Sequence, residues 1–453
     1  MKNIKLKKAI KIIKLVSLMI VISFTILVIH LKYFVRDIPS FDDSLLAIEN
    51  KEIPEEENAF LVLVQIGGPI FDMNTYGEVF PEMLELEKNG ELSSGTVEVV
   101  LSKYGGRFRA IDRAAAMKYS QAPLVSSPGD RIPNYLGLRM LAKLRLAVAW
   151  HDYKQGNVLE SEEAIKNIFQ MGKVLDSEDG NSYIISLFTG TYIKTDALRT
   201  LNKMFSEGYQ PEDGGRKWIV FLSRFKFSDK SFKEMLKVEY SVDKNVIQDL
   251  GINHNNIFLY IDRKDLPWPL SNSFFRGMII KEQRTKKYYY DYFSSYITAI
   301  DYTYSGINTQ KIPEIELVSY DSFKALLEGD FGARIVMSQS TFDLGNFLKL
   351  KCVHDFAVDA TRLRIAVLSF SSKNGDLPHN LVDLVPDYID DVPLDPIHGM
   401  PISYNREKGV IYSYGEDNKD DGGTAEIYFP TEKKWKRLWE EKDIVLRIFE
   451  EDS

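Results

Sequence analysis

Five carboxylates lie close together near the C-terminal end of the sequence, in the stretch YGEDNKDDGGTAEI at 414–427. Calcium binds six to eight hard oxygen ligands, which carboxylates and carbonyls supply from a loop that wraps the ion. Gly415, Gly422 and Gly423 permit the backbone conformations that aim carbonyls inward. The five carboxylates are those of Glu416, Asp417, Asp420, Asp421 and Glu426. The stretch therefore predicts a calcium site, with a solvated acidic loop as the alternative.

Recognised catalytic and metal-binding motifs are absent. The sequence has no G-x-S-x-G, H-E-x-x-H, phosphate-loop or G-x-G-x-x-G motif. The acidic loop is not an EF-hand, because positions 3 and 12 counted from Asp417 are Lys419 and Tyr428, where oxygen ligands are required. We therefore expect no intrinsic hydrolytic activity.

The histidines are also poorly spaced for chemistry. No two of the six lie three to five residues apart, the spacing that a helical metal site requires. In His151-Asp152 and His354-Asp355, adjacent side chains point about 100° apart on a helix and do not face each other. We predict that both are partly exposed helix histidines, and that His398 is a turn residue.

Charge is distributed unevenly along the chain. Of 57 basic and 65 acidic residues, residues 1–36 hold eight Lys/Arg and no Asp/Glu, so residues 37–453 carry a net charge of −16. An acidic body is a poor polyanion binder, and we expect no nucleic-acid partner. The single cysteine, Cys352, excludes an intrachain disulfide and a cysteine-based zinc site.

An apolar run near the N-terminus predicts a membrane anchor. Six lysines precede the run LVSLMIVISFTILVIHL at 15–31, which with its apolar flanks is long enough for one crossing. The positive-inside rule places the N-terminus in the cytoplasm and the rest outside, so we expect a single-pass cell-membrane protein whose N-terminal helix contacts the bilayer. A cleavable signal peptide is the alternative, but HLKYFVRD at 30–37 lacks the small residues of a cleavage site.

Patterns in the body predict mainly helices. Residues 1–36 form the cytoplasmic end and anchor, 37–57 an acidic, solvated tether with one short helix, and 58–345 a mainly helical domain. A helix over 134–155 is followed by Gly156 and by a second helix with Ser161 as its N-cap. This hairpin is similar to one tetratricopeptide unit, but no 34-residue recurrence follows, which favours an irregular helical bundle over a repeat.

Two further segments differ in composition. The stretch 206–275 is rich in Gly, Pro and Asn, which predicts loops between shorter helices. In 286–300, lysines beside aromatics are compatible with single-stranded nucleic acid, but the spacing predicts the face of a buried helix. That face consists of Tyr289, Tyr292, Phe293, Tyr296, Ile297 and Ile300.

The last module, 346–453, combines a helix with an antiparallel hairpin. After an irregular stretch at 312–349, apolar residues from Phe356 to Phe370 repeat with 4,3,4,3 spacing, and Asn374-Gly375 ends the helix. Two strands at 401–404 and 409–414 flank a turn. The fold class is therefore α+β: a mainly helical body, a small C-terminal helix-plus-antiparallel-sheet module and an N-terminal transmembrane helix.

Short motifs follow one another in this module. They are the Asn374-Gly375 break, LDPIHGMPISY at 394–404, IYSYGED at 411–417, Gly422-Gly423 and AEI at 425–427. In this order they resemble the globular part of the major pseudopilin of type II secretion systems, over 362–427. The whole chain looks like uncharacterised families of membrane-anchored bacterial proteins with a helical middle.

The resemblance implies a calcium-binding loop. The pseudopilin loop binds calcium, which for this chain implies Ser413, Asp417, Asp420, Asp421 and Glu426 as ligands. Residues 1–36 lack the pseudopilin processing motif, so we expect no processing or polymerisation as a pilin.

These features predict an extracytoplasmic binding or assembly protein with an envelope protein as partner. Two alternatives stay open. One is an accessory component of a type II secretion or pilus-like apparatus, and the other is an envelope hydrolase whose acidic site is assembled from distant residues.

Overall fold

A computed structural model gives the architecture of the chain. It describes residues 2–49, 52–68, 76–124, 133–177, 179–211, 213–257, 272–300, 304, 344–426, 428–429, 438 and 441–449. This part is mainly helical, with a small mixed β-sheet near the C-terminal end. The predicted mainly helical body with a small C-terminal sheet is therefore confirmed.

The described α-helices are α1 (Lys2–Ile29), α2 (Ala59–Ile66), α3 (Tyr76–Val79), α4 (Glu82–Asn89), α5 (Ser94–Ala115), α6 (Tyr135–Lys154), α7 (Val158–Asp176), α8 (Ile184–Ser206), α9 (Arg216–Leu222), α10 (Asp229–Ile252), α11 (Ser273–Ile279), α12 (Glu282–Ala299) and α13 (Leu344–Asn374). A π-helical turn, His30–Phe34, extends α1, and 3-10 turns occupy Ser44–Leu46, Glu55–Glu57, Ser223–Phe225, His254–Asn256 and Leu381–Leu384. The strands are β1 (Ser403–Asn405), β2 (Val410–Ser413), β3 (Tyr428–Phe429) and β4 (Ile444–Arg447).

The N-terminal helix is long and apolar enough to cross a membrane. Its apolar part, Ile13–Tyr33, has 21 residues and a mean hydropathy of 2.3. At 1.5 Å per residue it spans about 31 Å, which matches the ~30 Å hydrocarbon core of a bilayer. Signal sequences share these properties. Leu31 and Val35, at its C-terminal end, are buried in the body.

The acidic segment that follows the anchor is exposed over most of its length, as predicted, but several of its side chains are held on the body. Asp37 accepts hydrogen bonds from the backbone N–H groups of Gln283 and Arg284 at the start of α12, at 3.0 and 2.8 Å. Leu46, in the predicted short helix, is buried. Asp43 likewise forms an ion pair with Lys244 on α10 at 2.5 Å. The second part, 52–57, is largely exposed.

The predicted helical hairpin forms as α6 and α7. Gly156 adopts φ +86° in the turn between them. α7 begins at Val158 after Asn157, so the predicted N-cap role of Ser161 is wrong. Ser161 is buried inside α7 and its hydroxyl contacts the Met204 sulfur at 3.6 Å.

α7 and α8 pack at very short range. A Cβ atom on Gly190 would lie 2.5 Å from the Gly172 carbonyl oxygen, and one on Gly172 would lie 2.8 Å from the Gly190 carbonyl oxygen. Two glycines are therefore required where the two backbones meet.

The prediction of loops between shorter helices for 206–275 holds for the loop before α9 and for α9 itself, which has seven residues, but is wrong for α10. α10 is a continuous helix of 24 residues, capped by the Ser228 hydroxyl. It packs on α12, whose predicted buried aromatic face is confirmed, with Tyr289, Tyr292, Phe293 and Tyr296 all buried. The part at 258–271 lies outside the described residues.

α13 connects the body to the C-terminal sheet. It ends at Asn374 before Gly375, as predicted, and packs on α8 and α9 as well as on β2 and β4. The two predicted modules therefore share one helix, which crosses the boundary at 345/346. Of the predicted irregular stretch at 312–349, residues 344–349 are helical and the rest lies outside the described residues.

The sheet is mixed, which corrects the predicted antiparallel module. Its strand order is β1-β2-β4-β3. β1 and β2 form the predicted antiparallel hairpin, and β4 pairs antiparallel with β2. β3 pairs parallel with β4, with Tyr428 opposite Val445 and Phe429 opposite Leu446.

Candidate functional site

The acidic loop leaves β2 at Ser413 and folds back over it. Asp420 accepts hydrogen bonds from the Tyr412 hydroxyl at 3.0 Å and from the Gly422 N–H at 2.8 Å. Asp417 accepts the N–H of Lys419 at 3.1 Å. Burial and the bond to Asp420 raise the pKa of Tyr412. The loop is therefore ordered partly by its own carboxylates.

A carboxylate from outside the loop lies beneath it. Asp443, immediately before β4, is fully buried and accepts the N–H groups of Gly423 at 2.8 Å, Thr424 at 3.3 Å and Asp421 at 3.5 Å. Burial raises the pKa of Asp443, against the lowering effect of these donors. Sequence reasoning missed this residue. The available signal was an aspartate directly before an apolar strand, which is weak by itself.

The predicted calcium ligands occupy different surroundings. Ser413 is buried, whereas Asp421 and Glu426 are exposed. Glu426 is held through its backbone N–H, which donates to Glu441 at 2.8 Å. Within the described ranges, no group of three or more His, Cys, Asp or Glu side chains is placed to hold a metal ion. The calcium site stays a prediction.

A second polar cluster lies beside the loop at the turn that carries His398. Asp395 is buried and accepts the N–H of Ile397 at 2.7 Å. Burial raises the pKa of Asp395, while a hydrogen bond from Ser413 lowers it. The His398 ring lies 5.7 Å from the Tyr414 ring, and His398 is a turn residue as predicted. The Ser413 hydroxyl therefore donates to the Asp395 carboxylate, which links the end of β2 to this turn.

His354 is fully buried, so the prediction of a partly exposed helix histidine is wrong for this residue. Its Nδ1 lies 3.0 Å from the Thr195 hydroxyl and its Nε2 lies 2.9 Å from the Phe225 carbonyl oxygen. Burial lowers the pKa of His354 to about 3, which keeps the ring neutral. His151 is half-exposed, as predicted.

Asp355 faces away from His354, as the spacing predicts. Asp355 accepts the N–H of Phe227 at 2.6 Å and lies 3.3 Å from the Lys351 ammonium. One turn later, Asp359 pairs with Lys226 at 2.6 Å. These carboxylates connect α13 to the chain between α9 and α10.

Two buried cations complete this polar core. Arg364 donates to the carbonyl oxygens of Ile448 and Asn202, each at 3.0 Å. It therefore joins α13, α8 and the end of β4. Lys194 on α8 pairs with Asp176 at the end of α7 at 2.7 Å, with both side chains almost inaccessible to solvent.

The arrangement stabilises a specific packing of α7, α8 and α13. The hydrogen bonds and ion pairs of His354, Asp359 and Lys194 join these helices to their neighbours, which fixes how the elements meet. Comparison with protein-family models, curated proteins and solved structures gives no match for this chain.

Proposed function

We propose that this chain is a single-pass cell-membrane protein whose extracytoplasmic body serves binding or assembly. The proposal rests on the way in which the N-terminal helix is connected to the body. The apolar helix ends in buried Leu31 and Val35, and Asp37 then caps α12. A body attached without a flexible spacer presents its surface at a fixed height and orientation, which suits assembly with neighbouring envelope proteins.

The polar core supports binding over hydrolysis. His354, Asp355 and Asp359 are the acid and base groups that α13 supplies, and each is engaged in packing contacts. An envelope hydrolase would need such groups to converge on a substrate. The accessory of a secretion or pilus-like apparatus is a special case of the assembly proposal.

Membrane topology provides the first test. Protease added to spheroplasts should digest residues beyond about 40 while sparing an N-terminal tag, because the lysine-rich end lies inside. Two controls are needed. In intact cells the protease has no access to the protein, and in lysed cells the tag should be digested. A shorter mature chain that lacks residues 15–31 would refute the anchor.

Binding is tested by photo-crosslinking in cells. A benzophenone amino acid is placed at the exposed apolar positions Leu159, Val220 and Val382, with buried Leu141 as the matched control. An assembly protein should give a discrete adduct from at least one exposed position and none from Leu141. If no adduct forms and the purified chain turns over an ester, glycoside, phosphate or peptide substrate, the hydrolase alternative is correct.

Calcium at the acidic loop is part of the proposal. It is supported by the carboxylates of Asp417, Asp420 and Asp421 above buried Asp443, where like charges repel one another without a cation. At calcium concentrations about 100 times the dissociation constant, mass action stabilises the folded chain by about 2.7 kcal/mol. The measurement is thermal melting of the full-length protein in millimolar calcium, in magnesium and in chelator.

A matched pair of variants makes the calcium test specific. D417N/E426Q removes two loop carboxylates and should abolish the difference between calcium and chelator. D390N/D391N removes two exposed carboxylates elsewhere and should retain it. Equal melting of the unaltered protein in calcium, magnesium and chelator would show that the loop is a solvated acidic loop.

A further inference from the structure

The body covers the end of the apolar helix within the thickness of a membrane. Leu31 lies two residues before the end of the span at Tyr33, or about 3 Å along the helix axis. Leu31 is 1% exposed, and Leu27 and Val28, up to about 9 Å from that end, are partly buried against the same core. α11 packs on the turn that contains Leu31. When the helix spans a bilayer, this part of the body must lie at the level of the lipid headgroups.

Basic side chains gather around this junction, although the body is acidic overall. The Arg284 guanidinium donates to the Arg36 carbonyl oxygen at 3.2 Å, and the backbone of the same residue is held by Asp37. Lys281 lies next to Asp37 and Arg284, and burial lowers its pKa against the raising effect of the Asp37 carboxylate, with a smaller lowering by Arg284. Lys32 is exposed on the last turn of the anchor.

An exposed apolar side chain adjoins these cations. Ile252, the last residue of α10, is 86% exposed, more than any other large hydrophobic side chain among the described residues. The preceding Gly251 lies so close to Glu282 that a Cβ atom there would come within 2.5 Å of its carboxylate. This contact places the end of α10, with Ile252, against the start of α12, where Lys281 and Arg284 flank Glu282. Tyr33, also exposed, ends the span.

We propose that this surface, formed by Lys32, Tyr33, Arg36, Ile252, Lys281 and Arg284, docks on the phospholipid headgroups of the bilayer that holds the anchor. The cations contact lipid phosphates, and Ile252 enters the boundary between headgroups and acyl chains. The inference rests on the proposed membrane anchoring. Anionic lipids repel the remaining surface of the body, so this contact fixes which face is turned toward the membrane.

The test measures the distance of Ile252 from lipid. The full-length protein is reconstituted in phosphatidylcholine vesicles with and without phosphatidylglycerol. An I252C variant carries a bimane fluorophore, and lipids with a nitroxide on the headgroup quench it. L159C is the matched control, because Leu159 is 70% exposed and lies on α7, which packs on α2, α5, α6 and α8. We expect quenching at position 252 to exceed quenching at 159 several-fold.

A charge variant separates docking from anchoring. Adding K281E to I252C should reduce quenching in phosphatidylglycerol vesicles, while K166E, on α7, should leave it unchanged. Flotation of the vesicles reports anchoring independently. Equal quenching at positions 252 and 159 in a chain that floats with vesicles would overturn the docking inference alone. A chain that does not float would overturn both the anchoring and the docking.

Discussion

Replacing Lys194 by methionine tests how strongly burial raises the cost of breaking an ion pair. The Lys194 ammonium lies 2.7 Å from the Asp176 carboxylate, and the two side chains are 0% and 3% exposed. Methionine keeps most of the length of the side chain and removes the charge. The K194M variant therefore leaves Asp176 buried without its cation.

The expected loss follows from distance and dielectric. At 2.7 Å and an effective dielectric constant of about 20, the Coulomb attraction is about 6 kcal/mol, part of which is offset by the cost of removing both charges from water. Breaking one side of a buried pair typically costs 3–5 kcal/mol, and we expect K194M to lose about that much free energy of unfolding. The exposed pair Lys154–Glu207 has a similar distance of 2.9 Å, with exposures of 47% and 45%. K154M should lose at most about 1 kcal/mol.

Urea unfolding of the full-length protein in detergent, followed by tryptophan fluorescence, measures these losses. The double variant D176N/K194M should lose at least about 2 kcal/mol less than the sum of the single losses, because it leaves no unpaired charge. Equal losses for K194M and K154M, or additive losses in the double variant, would refute the claim that burial determines the effect.

Two further predictions concern helix packing and pH. G190A should lower the melting temperature, because its Cβ atom would lie 2.5 Å from the Gly172 carbonyl oxygen, whereas G95A, with no atom within 4 Å, should leave it unchanged or raise it. His354 has a pKa of about 3 in the folded chain, below its ordinary value near 6.5, so its contribution to stability is complete above pH 6.5 and is lost as pH falls toward 3. Between these two pKa values, this one group lowers the free energy of unfolding by about 1.4 kcal/mol for each pH unit of acidification. The H354Q variant should reduce the pH dependence of the free energy of unfolding by that amount. An unchanged pH dependence would show that His354 is protonated in the folded state.

The sequence predicts the elements whose pattern is local. The spacing of apolar residues predicts a helix over 134–155, and α6 occupies Tyr135–Lys154. The same apolar residues are buried in the structure. The end of α13 at Asn374-Gly375 is likewise local, since Gly375 adopts φ +79° there. The hairpin of β1 and β2 follows from two short apolar runs and a polar turn.

α10 shows how flanking residues can conceal a helix. Its apolar residues Phe232, Met235, Leu236 and Leu250 follow helical spacing and are buried. The Gly-, Pro- and Asn-rich stretches on either side favour loops between shorter helices rather than one long helix. Residues 228–252 taken by themselves carry both the helical period and the Ser228 cap, which together predict the helix.

The polar contacts cannot be predicted from residues that are neighbours in the sequence. Asp443 reaches the acidic loop from about twenty residues away, because the pairing of β4 with β2 places Ile444 opposite Ser413, which no short pattern predicts. His354 is buried because α8 and the turn after α9 cover it. Its exposure depends on the tertiary arrangement, which neighbouring residues do not encode.

The separation in sequence between α8 and α13 has a consequence for synthesis. Thr195 and His354 are 159 residues apart, as are Asn202 and Thr361. At 5–20 residues per second, α8 leaves the ribosome about 8–30 seconds before the residues that complete its polar contacts. During that interval its buried face has no finished partner surface, so the nascent chain needs protection from proteases and from other chains. A chain truncated before α13 would keep that surface exposed indefinitely.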